Sequence, residues 1–248
     1  YKLVGSNWVK QGNDIDGEAD DDKSGVSVSI STDGSRVAIG ANINAGDGGT
    51  ERGHTRVYEY NGSSWDKLGD DIDGEADNDK SGVSVSLSGD GSTVAIGAKL
   101  NDENGGGSGH TRIYKLVGSN WVKQGNDIDG ENAGDKSGVV SLSDDGTIVA
   151  IGAPENAGTG TDRGHTRIYK YDAGTTSWKA LVMDIDGEEN DDLSGTSVSL
   201  SSDGTTVAIG APRNNGAGTD RGHTRIYRLS ETTIFIPDGS LSASLQVL

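Results

Sequence analysis

The sequence predicts an all-β fold made of repeated four-stranded antiparallel sheets. Three observations lead there: a repeat of about 56 residues, alternation of apolar residues with serine inside each repeat, and no helical stripe with caps. Trp8, Trp65, Trp121 and Trp178 are spaced 57, 56 and 57 residues apart, and all four histidines (His54, His110, His165, His223) lie in Gly-His-Thr-Arg. Ile-Asp-Gly-Glu recurs at Ile15, Ile72, Ile128 and Ile185, and residues 1–18 recur unchanged at 114–131. Four units follow, at about 13–69, 70–125, 126–182 and 183–230 together with 1–12, leaving 231–248 as a tail or linker to a further module.

Each element can be justified in order from the first unit. Over 25–32, Val26, Val28 and Ile30 alternate with Ser27, Ser29 and Ser31, the period of two that places one set on each face of a strand. Asp33-Gly34 then reads as a type I′ hairpin turn, whose central residues both need positive φ. A second strand over 35–41 is followed by a polar, glycine-rich loop to Gly53. The third strand covers 54–60, Asn61-Gly-Ser-Ser64 turns the chain, and the fourth covers 65–69. The acidic loop after it leads into the next unit. A lone sheet of this kind cannot bury both faces, so the sheets are expected to stack radially as the blades of a β-propeller. Residues 7–12 supply a fourth strand and the last unit stops after a third strand at 223–229, so the N-terminal strand is expected to complete the last blade and close the ring. A slice of a longer array is the competing expectation.

The chain has 248 residues, 40 of them glycine, with no cysteine and a net charge of -18. That charge argues against nucleic acid, which needs a basic stripe, and against anionic membrane surfaces. Without cysteine there is no disulfide framework and no thiol chemistry. Acidic and poor in aromatics, the chain reads as extracellular or cell-surface. No signal peptide is evident, and Tyr1 opens inside a repeat, so a mature or excised piece is expected.

Ser81-Gly82-Val-Ser-Val-Ser-Leu, Val207-Ala-Ile-Gly-Ala-Pro212 and Gly222-His-Thr-Arg-Ile-Tyr227 together resemble the FG-GAP repeat of the integrin α-chain propeller. They are closer still to FG-GAP-like repeats of secreted bacterial and marine microbial proteins. The resemblance covers about 230 residues. It implies a non-catalytic propeller for adhesion or structural recognition, with a surface or matrix protein or a glycan as partner, in a larger repeat protein or assembly. Two departures stand out. The integrin type has seven blades against four repeats here, and its calcium loop is reduced to the bare turns Asp33-Gly34, Asp90-Gly91, Asp145-Gly146 and Asp203-Gly204.

Candidate chemistry lies in the acidic loops. Asp14, Asp16, Glu18, Asp20 and Asp22 form the first, and Asp71, Asp73, Glu75, Asp77 and Asp79 the second. Asp127, Asp129, Glu131 and Asp135 form the third, and Asp184, Asp186, Glu188 and Asp192 the fourth. Carboxylates two residues apart beside a glycine bend can converge on calcium, which takes six to eight oxygens. The plainer alternative has Asp-Gly making turns and the other acids capping loop amides or pairing with the Gly-His-Thr-Arg arginines. The histidines could suggest zinc, but equivalent strands of different blades diverge, so they should not meet. With Arg56 and Tyr58, His54 is expected in a blade-to-blade hydrogen-bond ladder instead. Trp8, Trp65, Trp121 and Trp178 could be the platforms of a multivalent lectin, one site per blade, or anchors of the outer strand. Catalysis is not expected, because every polar candidate recurs in equivalent places where an active site needs unlike groups converging. The copies differ most between the second and third strands, at 42–52, 99–108, 154–163 and 212–221.

Overall fold

The computed structural model describes residues 1–46, 49–235 and 241–247, which contain strands and turns and no helix. A two-stranded hairpin opens the chain, β1 (Lys2–Val4) paired with β2 (Asn7–Val9). Four larger antiparallel sheets follow in chain order. The first holds β3 (Ser27–Ile30), β4 (Arg36–Ala41), β5 (His54–Tyr60) and β6 (Trp65–Lys67), with the short β7 (Ile72–Asp73) against β5. The second repeats this with β8 (Ser81–Leu87), β9 (Thr93–Ala98), β10 (His110–Val117), β11 (Asn120–Lys123) and β12 (Ile128–Asp129). The third does so with β13 (Val139–Leu142), β14 (Ile148–Ala153), β15 (His165–Asp172), β16 (Ser177–Ala180) and β17 (Ile185–Asp186). The fourth has β18 (Ser197–Leu200), β19 (Thr206–Ala211), β20 (His223–Phe235) and β21 (Leu241–Val247).

The sheets stack face to face, and the Val/Ser alternation makes the stack. Ala38, Val57 and Ile72 of the first sheet bury against Val85, Leu87, Val94 and Ile96 of the second. The same pattern joins the second to the third through Ile113 and Ile151, and the third to the fourth through Ile168 and Ile209. Each fully buried isoleucine contributes about 1.5–3 kcal/mol. The serines serve the opposite face as hydrogen-bond partners for the next sheet. Ser29 Oγ accepts from Leu87 N at 2.9 Å, Ser86 Oγ from Leu142 N at 2.9 Å and Ser141 Oγ from Leu200 N at 2.9 Å. Close approach also requires glycine. A Cβ on Gly97 would stand 1.8 Å from Gly138 O, and one on Gly152 2.1 Å from Gly195 O.

Two expectations are corrected. The Asp-Gly turns are not type I′: Gly34 is left-handed (φ 73) and Asp33 is not. The turn closes by Gly34 N to Ser31 O at 2.9 Å, and the left-handed glycine follows it. The N-terminal strand does not complete the last sheet either. β2 pairs only with β1, while β20 runs on to Phe235 and pairs with β21, Tyr227 opposite Val247. Local hairpins close shorter loops than a ring joining both ends of the chain, and they prevail here. The tail thus contributes β21 to the fourth sheet, and Pro237-Asp-Gly239 lies outside the described residues. No helix among the described residues is long and apolar enough to cross a membrane.

Candidate functional site

Each acidic loop curls around a buried aspartate. The flanking residues are left-handed: Asp21 and Lys23 (φ 66 and 54), Asn78 and Lys80 (69 and 56), Gly134 and Lys136 (88 and 52), Asp191 and Leu193 (64 and 54). This curl turns the carboxylate onto its own loop. Asp22 Oδ2 accepts from Ala19 N at 3.0 Å and Asn44 Nδ2 at 2.9 Å. Asp79 does the same with Ala76 N and Asn101 Nδ2, each at 3.1 Å, and Asp192 with Glu189 N and Asn214 Nδ2, each at 2.9 Å. Asp135 takes three donors, Glu131 N at 3.1 Å, Asn132 N at 2.9 Å and Asn156 Nδ2 at 2.9 Å. The aspartate therefore staples the acidic loop to the loop after the second strand.

The other acids point elsewhere. Glu18 reaches Arg56 Nη1 at 3.2 Å, and Glu75 pairs with Arg112. The main-chain oxygens of Asp16, Asp129 and Asp186 accept from Arg56, Arg167 and Arg225 at 3.1, 2.5 and 2.5 Å. Asp73, Asp129 and Asp186 sit in the short strands and face His54, His110 and His165 in the ladder. Asp77 accepts from Arg52 Nε at 2.9 Å, Asp71 pairs with Lys67 at 2.7 Å, Asp127 with Lys123 at 2.5 Å, and Asp20 is exposed. The carboxylates of one loop do not converge on a point.

Acids of successive loops do converge, on a histidine. Glu18, His54 and Asp71 bring one ligand atom each within 4.8 Å of one another; so do Glu131, His165 and Asp184, and Glu75, His110 and Asp127 with Glu103. Sequence reasoning missed this grouping, whose signal is that the Ile-Asp-Gly-Glu and Gly-His-Thr-Arg motifs share one period. Burial pushes His54, His110 and His165 below the ordinary value, aided by Arg56 at His54 and Arg167 at His165. The imidazoles are therefore neutral at pH 7. No cluster among the described residues holds two histidines. The expected ladder runs mainly through the arginines, which also lie over Tyr58, Tyr169 and Tyr227 at 5.5–5.8 Å. One nitrogen with two or three carboxylates, of which Glu18, Asp71, Glu75, Asp127 and Glu131 already pair with Arg or Lys, fits calcium poorly, since it favours an oxygen shell.

Three tryptophans join neighbouring repeats. Trp65 Nε1 donates to Gln11 O at 2.9 Å, Trp121 Nε1 to Leu68 O at 2.7 Å and Trp178 Nε1 to Gln124 O at 2.8 Å. All three are half-buried, and Trp121 and Trp178 pack on the core clusters. Trp8 is 68% exposed. A cleft of about 320 Å³ is lined by Trp121, Tyr114, Asn120, Asp71 and Asp73.

No protein-family model and no curated protein matches the chain. Solved structures do. A protein of Bacteroides uniformis to which 6-phosphogluconolactonase activity is ascribed matches 90% of this chain and 57% of its own, at TM-score 0.54 and 11% identity. KlAtg21, in complex with the coiled-coil of AgAtg16, matches 83% and 54%, at TM-score 0.52 and 13% identity. The β-propeller domain of the trilobed protease of Pyrococcus furiosus matches 81% and 52%, at TM-score 0.46 and 12% identity. The chain thus spans a little over half the length of these structures. At such identities the likeness is one of fold alone.

Proposed function

We propose that the chain is a non-catalytic recognition or structural module of the FG-GAP-like propeller type, acting outside the cell or at its surface. One observation carries this reading. The Glu-His-Asp cluster recurs in equivalent places, and most of its acids already pair with cations, Glu18 with Arg56, Asp71 with Lys67, Glu75 with Arg112, Asp127 with Lys123 and Glu131 with Arg167. A catalytic centre needs unlike groups at one place with a poised acid or base. What varies from sheet to sheet is the loop after the second strand, and exposed variable loops on a rigid scaffold are where recognition is usually built. With cations holding the carboxylates, stability is expected to be independent of calcium.

The test is binding to arrays of immobilised glycans and extracellular matrix proteins, repeated after residues 212–221 are exchanged for the sequence of 99–108. Changed binding at an unchanged melting temperature is the expected result. Turnover of a chromogenic glycoside, ester or lactone above blank would overturn the non-catalytic reading.

A second reading, the lectin, draws support from the cleft at Trp121, where an aromatic face meets Asp71 and Asp73. Under it, Trp121→Phe would abolish glycan binding while the fold remains. Under the first reading that change weakens only the contact with Leu68 O.

A further inference from the structure

We infer that the two ends of the stack are halves of one interface, and that the first sheet of a second copy of this chain docks on the fourth sheet. The three internal interfaces define what such a joint requires. The leading sheet contributes apolar residues on its first strand, a positive-φ glycine at or just before its start and a tryptophan. The receiving sheet contributes serines, a side-chain-free glycine and the backbone of its histidine. Both half-sets are present at the ends and, apart from Trp65, which already bonds Gln11 O, they are unmatched among the described residues.

On the first sheet, Val28 and Ile30 stand where Val85 and Leu87 are buried in the second, yet they are 64% and 60% exposed. Gly25 is left-handed (φ 91), as are its counterparts Gly82 and Gly195 (φ 81 and 88). An ideal Cβ on Gly82 would meet His54 O, Thr55 Oγ1 and Gly40 Cα within 3.2 Å, whereas one on Gly25 meets nothing within 4 Å. On the fourth sheet, Ser197 and Ser199 are exposed where Ser27 and Ser29 bond the next sheet, and Ile226 is 44% exposed where Val57 is buried. A cavity of about 490 Å³ opens there, lined by Ser197, Gly210, His223 and Thr224. These are the counterparts of Ser27, Gly40, His54 and Thr55, which seat Gly82. The cavity is a socket for Gly25.

Two further series end at the same joint. The turn amides hydrogen-bond from sheet to sheet, Thr32 N to Gly89 O, Gly89 N to Asp144 O and Asp144 N to Ser202 O, and among the described residues the run goes no further. The Glu-His-Asp cluster is complete in three sheets, but in the fourth, among the described residues, only Glu188, His223 and Arg225 are together. The missing acid, by its place six residues after a tryptophan, is Asp14, which is 78% exposed and paired only with Lys10. Docking brings Asp14 of the second copy to His223 and lays β2 along β20 in place of β1, Leu229 taking the position of Leu3 opposite Trp8 as Leu116 stands opposite Trp121. β21 gives way to β2 at that edge.

Such a contact is heterologous: two copies can satisfy both ends as a closed pair, or the series continues as a filament. The test is sedimentation or light-scattering mass of the full chain over about 1–100 µM. A mass at or above twice the chain's 25.5 kDa is expected. Gly210→Ala fills the socket, and within one copy its methyl crowds only Ser197, whose hydroxyl turns aside. Val28→Arg spoils the other half at an exposed position. Each variant alone should melt like the parent yet associate at least about tenfold more weakly. Mixed one to one, they should regain a pair, because each keeps the half the other lost. A parent chain that is monomeric throughout, association untouched by either variant, or a mixture that stays monomeric would each overturn the proposal.

Discussion

Replacing Asp135 separates the staple from an ion ligand. The side chain is buried, and its Oδ2 alone accepts Glu131 N, Asn132 N and Asn156 Nδ2. Asp135→Ala leaves Asn156 Nδ2 buried without a partner, at about 1.5–3 kcal/mol for a bond to a charged acceptor. Glu131 and Asn132 are exposed, so water can reach their amides and each loss costs about 0.5 kcal/mol. The sum is about 3 kcal/mol, and at about 2–4 °C per kcal/mol in a chain this size the melting temperature should fall by about 6–12 °C. Asp135→Asn keeps an acceptor oxygen in place and removes a buried charge, so it should melt within about 3 °C of the parent. The assay is a thermal melt of all three proteins in EDTA and in millimolar calcium. An alanine variant as stable as the parent would refute the staple. So would a calcium-dependent rise in the parent that the asparagine variant loses, since the carboxylate would then be serving an ion.

Three more outcomes follow from the same contacts. Gly152→Ala puts a methyl 2.1 Å from Gly195 O, backbone against backbone, and should cost about 3 kcal/mol or prevent folding, read by urea titration. Trp178→Phe keeps most of the apolar contact but loses the bond to Gln124 O, for about 1 kcal/mol by the same titration. Acid should weaken the fold in two windows. Burial first, and Arg56 or Arg167 at two of the sites, hold His54, His110 and His165 below the ordinary 6.5, so the unfolded chain takes up protons more readily. Their contribution is present above pH 6.5 and lost as pH falls below it. Ser35 N–H and the Ser31 hydroxyl hold Asp33 at about 2, and Ser201 and Thr205 do so for Asp203, so a second loss comes between about 3.8 and 2. Denaturant midpoints measured from pH 8 to pH 2 check both, and a flat profile would contradict them.

What the sequence made legible was what repeats locally. Val28 against Ser29 fixed both the strand and its two faces, and Trp65 located the outer edge. The serines' part in joining the sheets was visible only as polarity, because period two says which face a side chain takes and nothing about what faces it. The turn was misread because Asp33-Gly34 carries a hairpin signal whatever the loop length, and only the backbone shows that Gly34 alone is left-handed. The clusters were hidden for a different reason. Glu18 and Asp71 lie in successive loops and His54 between them, so scanning one loop for converging acids could not assemble them. Ring closure failed as a prediction because the tail, set outside the four repeats, supplies β21 to the edge that β2 was expected to fill.

Each sheet touches only its neighbours, so stability is a sum over sheets and joints rather than a property of one core. In such arrays a soluble end needs a polar outer face on the terminal repeat. The two outer faces of the described stack are not polar in this way: Val28, Ile30 and Ile226 have the apolar character that serves the internal joints. Gly210 lacks the side chain that a joint would exclude, while within its own sheet a methyl there crowds only the Ser197 side chain. That both ends retain the residues of an interior joint is what a surface made to be covered predicts, and the pairing of Gly210→Ala with Val28→Arg asks that question of each end separately.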